Sequence, residues 1–189
     1  MKDFVVIGVV GLQGSGKTEV AKAAAKLDIP CVRMGDVVWA ECKRRGLEVN
    51  ETNVSVIANE LRKTDGLRAI AKRCVPLIEQ SGEVKKAVIV DGIRGIAEVE
   101  EFRNAFGQRF SVLAVWAGQR ARYRRIAARG REDDAASLQA FNEKDVRELS
   151  WGLGEALALA DFIILNEGTL TELHDKSSEL LNLLLGGKA

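Results

Sequence analysis

The stretch Gly11-Leu12-Gln13-Gly14-Ser15-Gly16-Lys17-Thr18 has the residue types and spacing to hold a polyphosphate. It fits G-x-x-x-x-G-K-[ST], the pattern of a phosphate-binding loop. Glycines at 11, 14 and 16 let the backbone take conformations that a Cβ opposes and come close to an anion. The loop amides, those of Gln13 and Ser15 among them, then turn towards phosphate oxygens at the positive end of the next helix. Lys17 reaches the outermost phosphates, and the Thr18 hydroxyl ligates Mg2+.

Two further groups carry charge of the right kind. The apolar run 87–90 ends in Asp91-Gly92, with Arg94 close behind. An acid at the C-terminal tip of a strand in an open parallel sheet sits where ligands bind, which makes Asp91 a direct or indirect Mg2+ ligand. An Asp-Gly turn is the plainer reading of the same two residues. The second group is the dense arginine run from Arg120 to Arg131, in which Arg122, Arg125 and Arg129 share one helical face. Glu132, Asp133 and Asp134 follow. Such a face is ordinarily a solvated surface. With a phosphate loop in the same chain, it reads instead as arginines that close over a transferring phosphoryl group.

The elements that must position these residues alternate. The run 4–10 is rich in β-branched residues and reads as a buried strand, followed by a helix over 19–26. A second strand is predicted over 29–34 and a helix over 37–45. Asp36 is weighed equally as the N-cap of that helix and as a ligand. Helices over 51–63 and 67–79 follow, and the stretch 35–80 either covers the sheet or forms a flap. Strands over 87–91, 110–117 and 161–166 alternate with helices over 98–105, 120–129, 138–149, 155–160 and 170–185. The expected fold is α/β, a three-layer sandwich around a five-stranded, mainly parallel sheet. One domain over 1–189 is expected, with 35–80 as an acceptor-binding region and 119–135 as a small lid.

Composition narrows the function. Twenty-eight basic against 27 acidic residues leave a net charge of +1, which gives no bulk attraction for nucleic acid or an anionic membrane. One histidine and three scattered cysteines make no zinc set. No apolar stretch has the length of a membrane span, and the reading is a cytoplasmic protein. His174 sits in a leucine-rich helical pattern with no evident partner.

These blocks together resemble the nucleoside-monophosphate-kinase-like branch of the P-loop NTPases, which holds adenylate kinase and dephospho-CoA kinase. More narrowly, the chain resembles the archaeal adenylate-kinase-related, dephospho-CoA-kinase-like group designated UPF0200. The likeness extends through Met34-Gly35-Asp36, Asp91-Gly92-Ile93-Arg94, Arg129-Gly130-Arg131-Glu132-Asp133-Asp134, Trp151-Gly152-Leu153-Gly154 and Asn166-Glu167-Gly168. It implies ATP as donor with Mg2+, and a nucleotide-like small-molecule acceptor such as AMP or dephospho-CoA. Gly35-Asp36 then opens the acceptor helix, and Arg94 holds the acceptor phosphate with help from Arg33 or Arg62. Arg125, Arg129, Arg131 and Asp133 belong to the lid, and Asn166 and Gly168 to the donor-base loop. A homodimer is compatible with the group. The chain departs from the adenylate kinase block by lacking its proline, and Lys144 stands where arginine is expected.

Rival readings are weaker. A GTPase needs N-K-x-D, whereas Asn142-Glu143-Lys144-Asp145 has the wrong order. An ABC-type ATPase is faintly echoed by Leu149-Ser150-Trp151-Gly152, but the chain is too short. A regulatory protein that hydrolyses ATP slowly and senses a nucleotide would use the same pockets.

Overall fold

A computed structural model describes residues 4–129 and 137–186. Five strands run β1 (Val5–Val10), β2 (Cys31–Arg33), β3 (Ala87–Asp91), β4 (Phe110–Trp116) and β5 (Phe162–Leu165). They form one sheet in the order β2-β3-β1-β4-β5, and every neighbouring pair is parallel. The helices are α1 (Lys17–Lys26), α2 (Met34–Arg44), α3 (Glu51–Asp65), α4 (Ala69–Gly82), α5 (Ile96–Phe106), α6 (Gln119–Arg129), α7 (Leu138–Ser150), α8 (Leu153–Ala158) and α9 (Leu170–Leu185).

Both sheet faces are covered, which is why the strands read as continuous apolar runs. Side chains alternate across the sheet along β1. Val6 and Val10 enter a layer that also takes in residues of α2, α3, α4, α5 and α8. Ile7 and Val9 enter the opposite layer, with Val20 and Ala23 of α1 and Leu173 and Leu181 of α9. The expected three-layer α/β sandwich is therefore what forms. Gly8 of β1 lies where a Cβ would meet Ile93 Cδ1 at 2.6 Å and the Phe110 ring at 2.8 Å. Close packing excludes a side chain there.

The choice left open for residues 35–80 is decided by their apolar stripes. Val38 and Cys42 of α2, Ile57 and Leu61 of α3, and Ile70 and Ile78 of α4 are buried in one cluster with Val88 and Val90 of β3. These helices cover one face of the sheet. Their start differs from the sequence reading. Met34, only 2% exposed, anchors the first turn of α2, so β2 stops at Arg33 and the helix begins three residues early. Asp36 lies inside that first turn and Arg33 takes the N-cap position, with no side-chain cap bond. The acid still complements the helix dipole. Thr169 caps α9 as expected, its Oγ1 accepting from the Glu172 amide at 3.2 Å.

All three cysteines are free thiols. Burial pushes the Cys74 thiol up to about 12 and that of Cys31 up to about 11. Neither is poised as a nucleophile. Among the described residues no helix is long and apolar enough to cross a membrane.

Candidate active site

The parallel order puts β1 at the centre of the sheet, between β3 and β4. The C-terminal tips of β1 and β3 lie side by side, with Val9 paired to Asp91. Ligands of open α/β sheets bind at such a crossover. The glycine-rich loop leaves β1 there and enters α1.

Every loop carbonyl from residue 11 to residue 15 has a donor. Lys17 Nζ donates to the Gly11 carbonyl and, at 3.1 Å, to that of Leu12. Arg122 Nη1 reaches the Gln13 carbonyl at 3.1 Å, and Arg125 Nη1 that of Gly14 at 3.5 Å. Asn166 Nδ2 holds the Ser15 carbonyl at 2.7 Å. The Ser15 amide, expected to face an anion, instead donates to the Leu12 carbonyl at 3.2 Å, and with the carbonyls tied down the other loop amides are the groups left to meet one. Gly14 (φ 73°) and Gly16 (φ 111°) both adopt left-handed conformations. A Cβ on Gly16 would also meet Asn166 Nδ2 at 2.6 Å. Glycine at 16 thus answers to its neighbours as well as to a ligand.

The lining of the loop fits the phosphates of a nucleoside triphosphate. Ser15 Oγ is buried inside the loop with no hydrogen-bond partner, and a Cβ on Gly11 would meet that same oxygen at 2.5 Å. A polar cradle kept free of side-chain bulk suits phosphate oxygens. Thr18 and Asp91 supply oxygen donors beside it. Among the described residues no group of three or more metal-ligating side chains exists.

Lys17 titrates low. Burial brings its pKa down to about 8, opposed first by the charge of Glu148, with Arg94 lowering it and Asp91 raising it. A bound polyphosphate stabilises the ammonium form, so binding takes up a proton once free Lys17 has lost its own. Affinity for ATP is expected to fall as pH rises through about 8, by up to about tenfold per unit. Titrations with a fluorescent ATP analogue at pH 7, 8 and 9 measure this. Affinity that stays flat over that range would exclude Lys17 as the titrating group.

Beside the loop lies a cavity of about 470 Å³ whose lining includes Gly35, Arg62, Arg94, Lys144, Glu148 and Trp151. Arg94 donates through Nη1 to Glu148 Oε1 at 2.6 Å, and its amide donates to Glu98 Oε2 at 2.6 Å. Arg62 stacks over the Trp151 ring at 5.6 Å and lies 3.6 Å from Glu98 Oε1. Burial pushes the Glu98 carboxyl up, and the Arg94 amide and Arg62 partly offset this. A Cβ on Gly95 would fall 1.9 Å from the Trp151 carbonyl oxygen. The Asp91–Arg94 and Trp151–Gly154 blocks therefore meet backbone to backbone.

The remaining expected residues fall in different places. Asp36 is exposed and Gly35 opens onto the cavity. Arg125 Nη2 donates to the Asn166 carbonyl at 2.8 Å and its Nη1 reaches the loop at the Gly14 carbonyl. Arg129 ends α6 at an exposed position. Gly168 is exposed beside Glu172. Arg131, Asp133 and Asp134 lie outside the described residues. His174 has a partner that the sequence did not reveal, with Nε2 at 3.0 Å from Glu19 Oε2.

Sequence reasoning missed the buried charges of α7. Asp145 Oδ1 and Oδ2 hold Arg122 at 3.0 and 2.6 Å, and Gln13 Nε2 reaches Asp145 Oδ1 at 3.2 Å. Phe141, Asp145 and Glu148 are spaced four and three apart and all face inward. Acids at core-facing spacing were the available signal.

The AAA domain family model matches residues 10–141. A UPF0200 protein from Methanosarcina acetivorans is 43% identical over 177 residues, 94% of each chain. A longer UPF0200/UPF0201 protein from Archaeoglobus fulgidus is 44% identical over 179 residues, and the match covers 95% of this chain but 55% of that one. Among solved structures, a shikimate kinase from Acinetobacter baumannii in complex with shikimate has a TM-score of 0.59 at 16% identity, covering 99% of this chain and 96% of that one. A gluconokinase from Sinorhizobium meliloti 1021 has a TM-score of 0.61 at 14% identity, covering 98% and 96%. At these identities the structural likeness speaks for the fold, which is that of the P-loop kinases.

Proposed function

Because the chain belongs to the UPF0200 family and carries an AAA domain over residues 10–141, we propose that it is an Mg2+-dependent phosphotransferase, moving the γ-phosphoryl group of ATP to a nucleotide or nucleotide-like small molecule. The observation that carries this reading is a cation on each side of one junction. Lys17 lies in the phosphate loop, and Arg94 lines the adjoining cavity of about 470 Å³. The charges of Arg94 and Glu148 both act on Lys17, so the two halves share one electrostatic site. A pure ATPase has no need of the second half.

Transfer through a loose transition state asks for alignment and charge neutralisation more than covalent chemistry. Loop amides and Lys17 hold the donor phosphates. Thr18 and Asp91 hold Mg2+, which supplies charge neutralisation on the phosphate oxygens. Arg94 has guanidinium N–H groups left beyond the one given to Glu148, and these meet the anionic part of the acceptor. Arg62 and the Trp151 ring form a stacking wall for a planar base. The arginines at the end of α6 act as the lid and exclude water.

Incubation with ATP and a panel of nucleosides, nucleotides and dephospho-CoA, with phosphate release followed alongside, tests the proposal. Transfer to one acceptor, well above hydrolysis, is the expected result. Phosphate release with no transfer to any member would leave a slow, nucleotide-sensing ATPase. Arg94→Ala is expected to raise the acceptor KM by about tenfold or more, as losing a charged hydrogen bond does, with ATP affinity little changed. An unaltered acceptor KM would remove Arg94 from the acceptor site.

A further inference from the structure

Three carboxylates surround the junction between the phosphate loop and the cavity, and they are not equivalent. Asp91 ends β3 beside the loop and serves as the oxygen donor for Mg2+. Glu98 accepts from the Arg94 amide through Oε2, while its Oε1 has no hydrogen bond and lies 3.6 Å from the Arg62 guanidinium. Glu148 is as deeply buried as Glu98, but its charge, unlike that of Glu98, acts on Lys17 in the phosphate loop. It is 3% exposed and lines the cavity. One oxygen accepts from Arg94, while the other, Oε2, is buried with no hydrogen-bond partner. An unpaired carboxylate oxygen at such depth is costly unless something completes it. Of the neighbouring charges, that of Glu148 also acts most strongly on Lys17.

The position of Glu148 is rigidly set. It lies one turn beyond Asp145, which is tied to Arg122 and to the Gln13 side chain. Helix α7 is thereby pinned to the phosphate loop, and Glu148 is held at the point where donor and acceptor meet.

Resting on the phosphotransferase reading above, we infer that the acceptor is an alcohol, whose hydroxyl donates to Glu148 Oε2, and not a phosphate monoester that receives the phosphoryl group on its own phosphate. A phosphate needs no base to act as nucleophile and carries negative charge. Brought against Glu148, it would meet a buried like charge. A hydroxyl needs a partner for its proton and brings no charge. The step balances. The hydroxyl oxygen bonds to the γ-phosphorus, and the bond from that phosphorus to the β,γ-bridging oxygen breaks. The nucleoside diphosphate leaves with the electron pair, and the hydroxyl proton passes to Glu148 Oε2 and then to water. Glu148 is a catalytic residue in this account, and Arg94 orients it.

The test uses the intact chain, ATP and two acceptor sets. One set can accept only on a hydroxyl (nucleosides and dephospho-CoA, whose two phosphates are both bridged), and the other offers both hydroxyls and a terminal phosphate (nucleoside monophosphates). Phosphorus-31 spectra of the product are expected to show a new phosphate monoester. A new phosphoanhydride on the acceptor's own phosphate, with coupled signals beyond those of ATP and its diphosphate product, would overturn the inference while leaving the kinase reading intact. Phosphate release with no transfer to any acceptor would overturn both. Glu148→Gln is expected to lower kcat on the order of 10²-fold, the scale of a lost general base, with the acceptor KM little changed and ATP affinity kept or tightened. Full kcat in a folded Glu148→Gln protein would also overturn it. The bond type formed by the unaltered protein decides the matter even if that variant does not fold.

Discussion

Lys17→Ala is expected to abolish phosphoryl transfer, with kcat falling on the order of 10³-fold or more, the scale of a single cation meeting the transferring group. The argument begins in the ligand-free geometry. Nζ lies on the carbonyls of Gly11 and Leu12, so the ammonium is already inside the loop when ATP arrives. It then exchanges two neutral acceptors for charged phosphate oxygens, whose hydrogen bonds are about twice as strong. Its pKa of about 8 keeps it protonated at neutral pH. Arg122 is bound to Asp145 and Arg125 to the Asn166 carbonyl, so neither of these cations takes over. Single-turnover transfer of labelled γ-phosphate measures the loss. Turnover within a few-fold of the unaltered protein would refute the site assignment.

Asp145→Ala is expected to destabilise the fold by about 3–5 kcal/mol, the penalty for breaking a buried ion pair and leaving one partner charged. Arg122 is 4% exposed and Asp145 5%. The pair is bidentate, which makes it strong and geometrically exacting. Removing the carboxylate strands a guanidinium that cannot lose its charge, and it also releases the Gln13 side chain. The melting temperature should drop by about 6–20 °C for a chain of this size. ATP affinity should weaken too, because the loop loses its anchor on α7. The double variant Arg122→Met with Asp145→Leu should regain most of the stability, since no buried charge is then left alone. A shift in Tm below about 2 °C for Asp145→Ala would show that the pair is not what fixes α7 to the loop.

Much of the site was legible from local pattern. The phosphate loop, the strand before it and the helix after it are contiguous, and their chemistry depends on residues a few positions apart. Asp91 at a strand tip and Thr169 at a helix cap were readable for the same reason. Arg122 shows where that reading stops. It looked like one member of an arginine face shared with Arg125 and Arg129. In the fold it is a buried strut whose partner lies 23 residues on. Glu148 had no local signal beyond its spacing from Phe141 and Asp145. It faces Arg94 from 54 residues away.

The sequence by itself determined the α/β class, the parallel sheet and the glycine-rich loop between the first strand and the first helix, because hydrophobic period and a contiguous glycine loop are local properties. Only the tertiary structure decided which charges line the cavity and which hold the frame. A charge's role depends on what lies opposite it after folding, on how deeply both are buried and on whether the pair is complete. Those distances are set by how α6 and α7 pack against the loop, and no stretch of neighbouring residues encodes them.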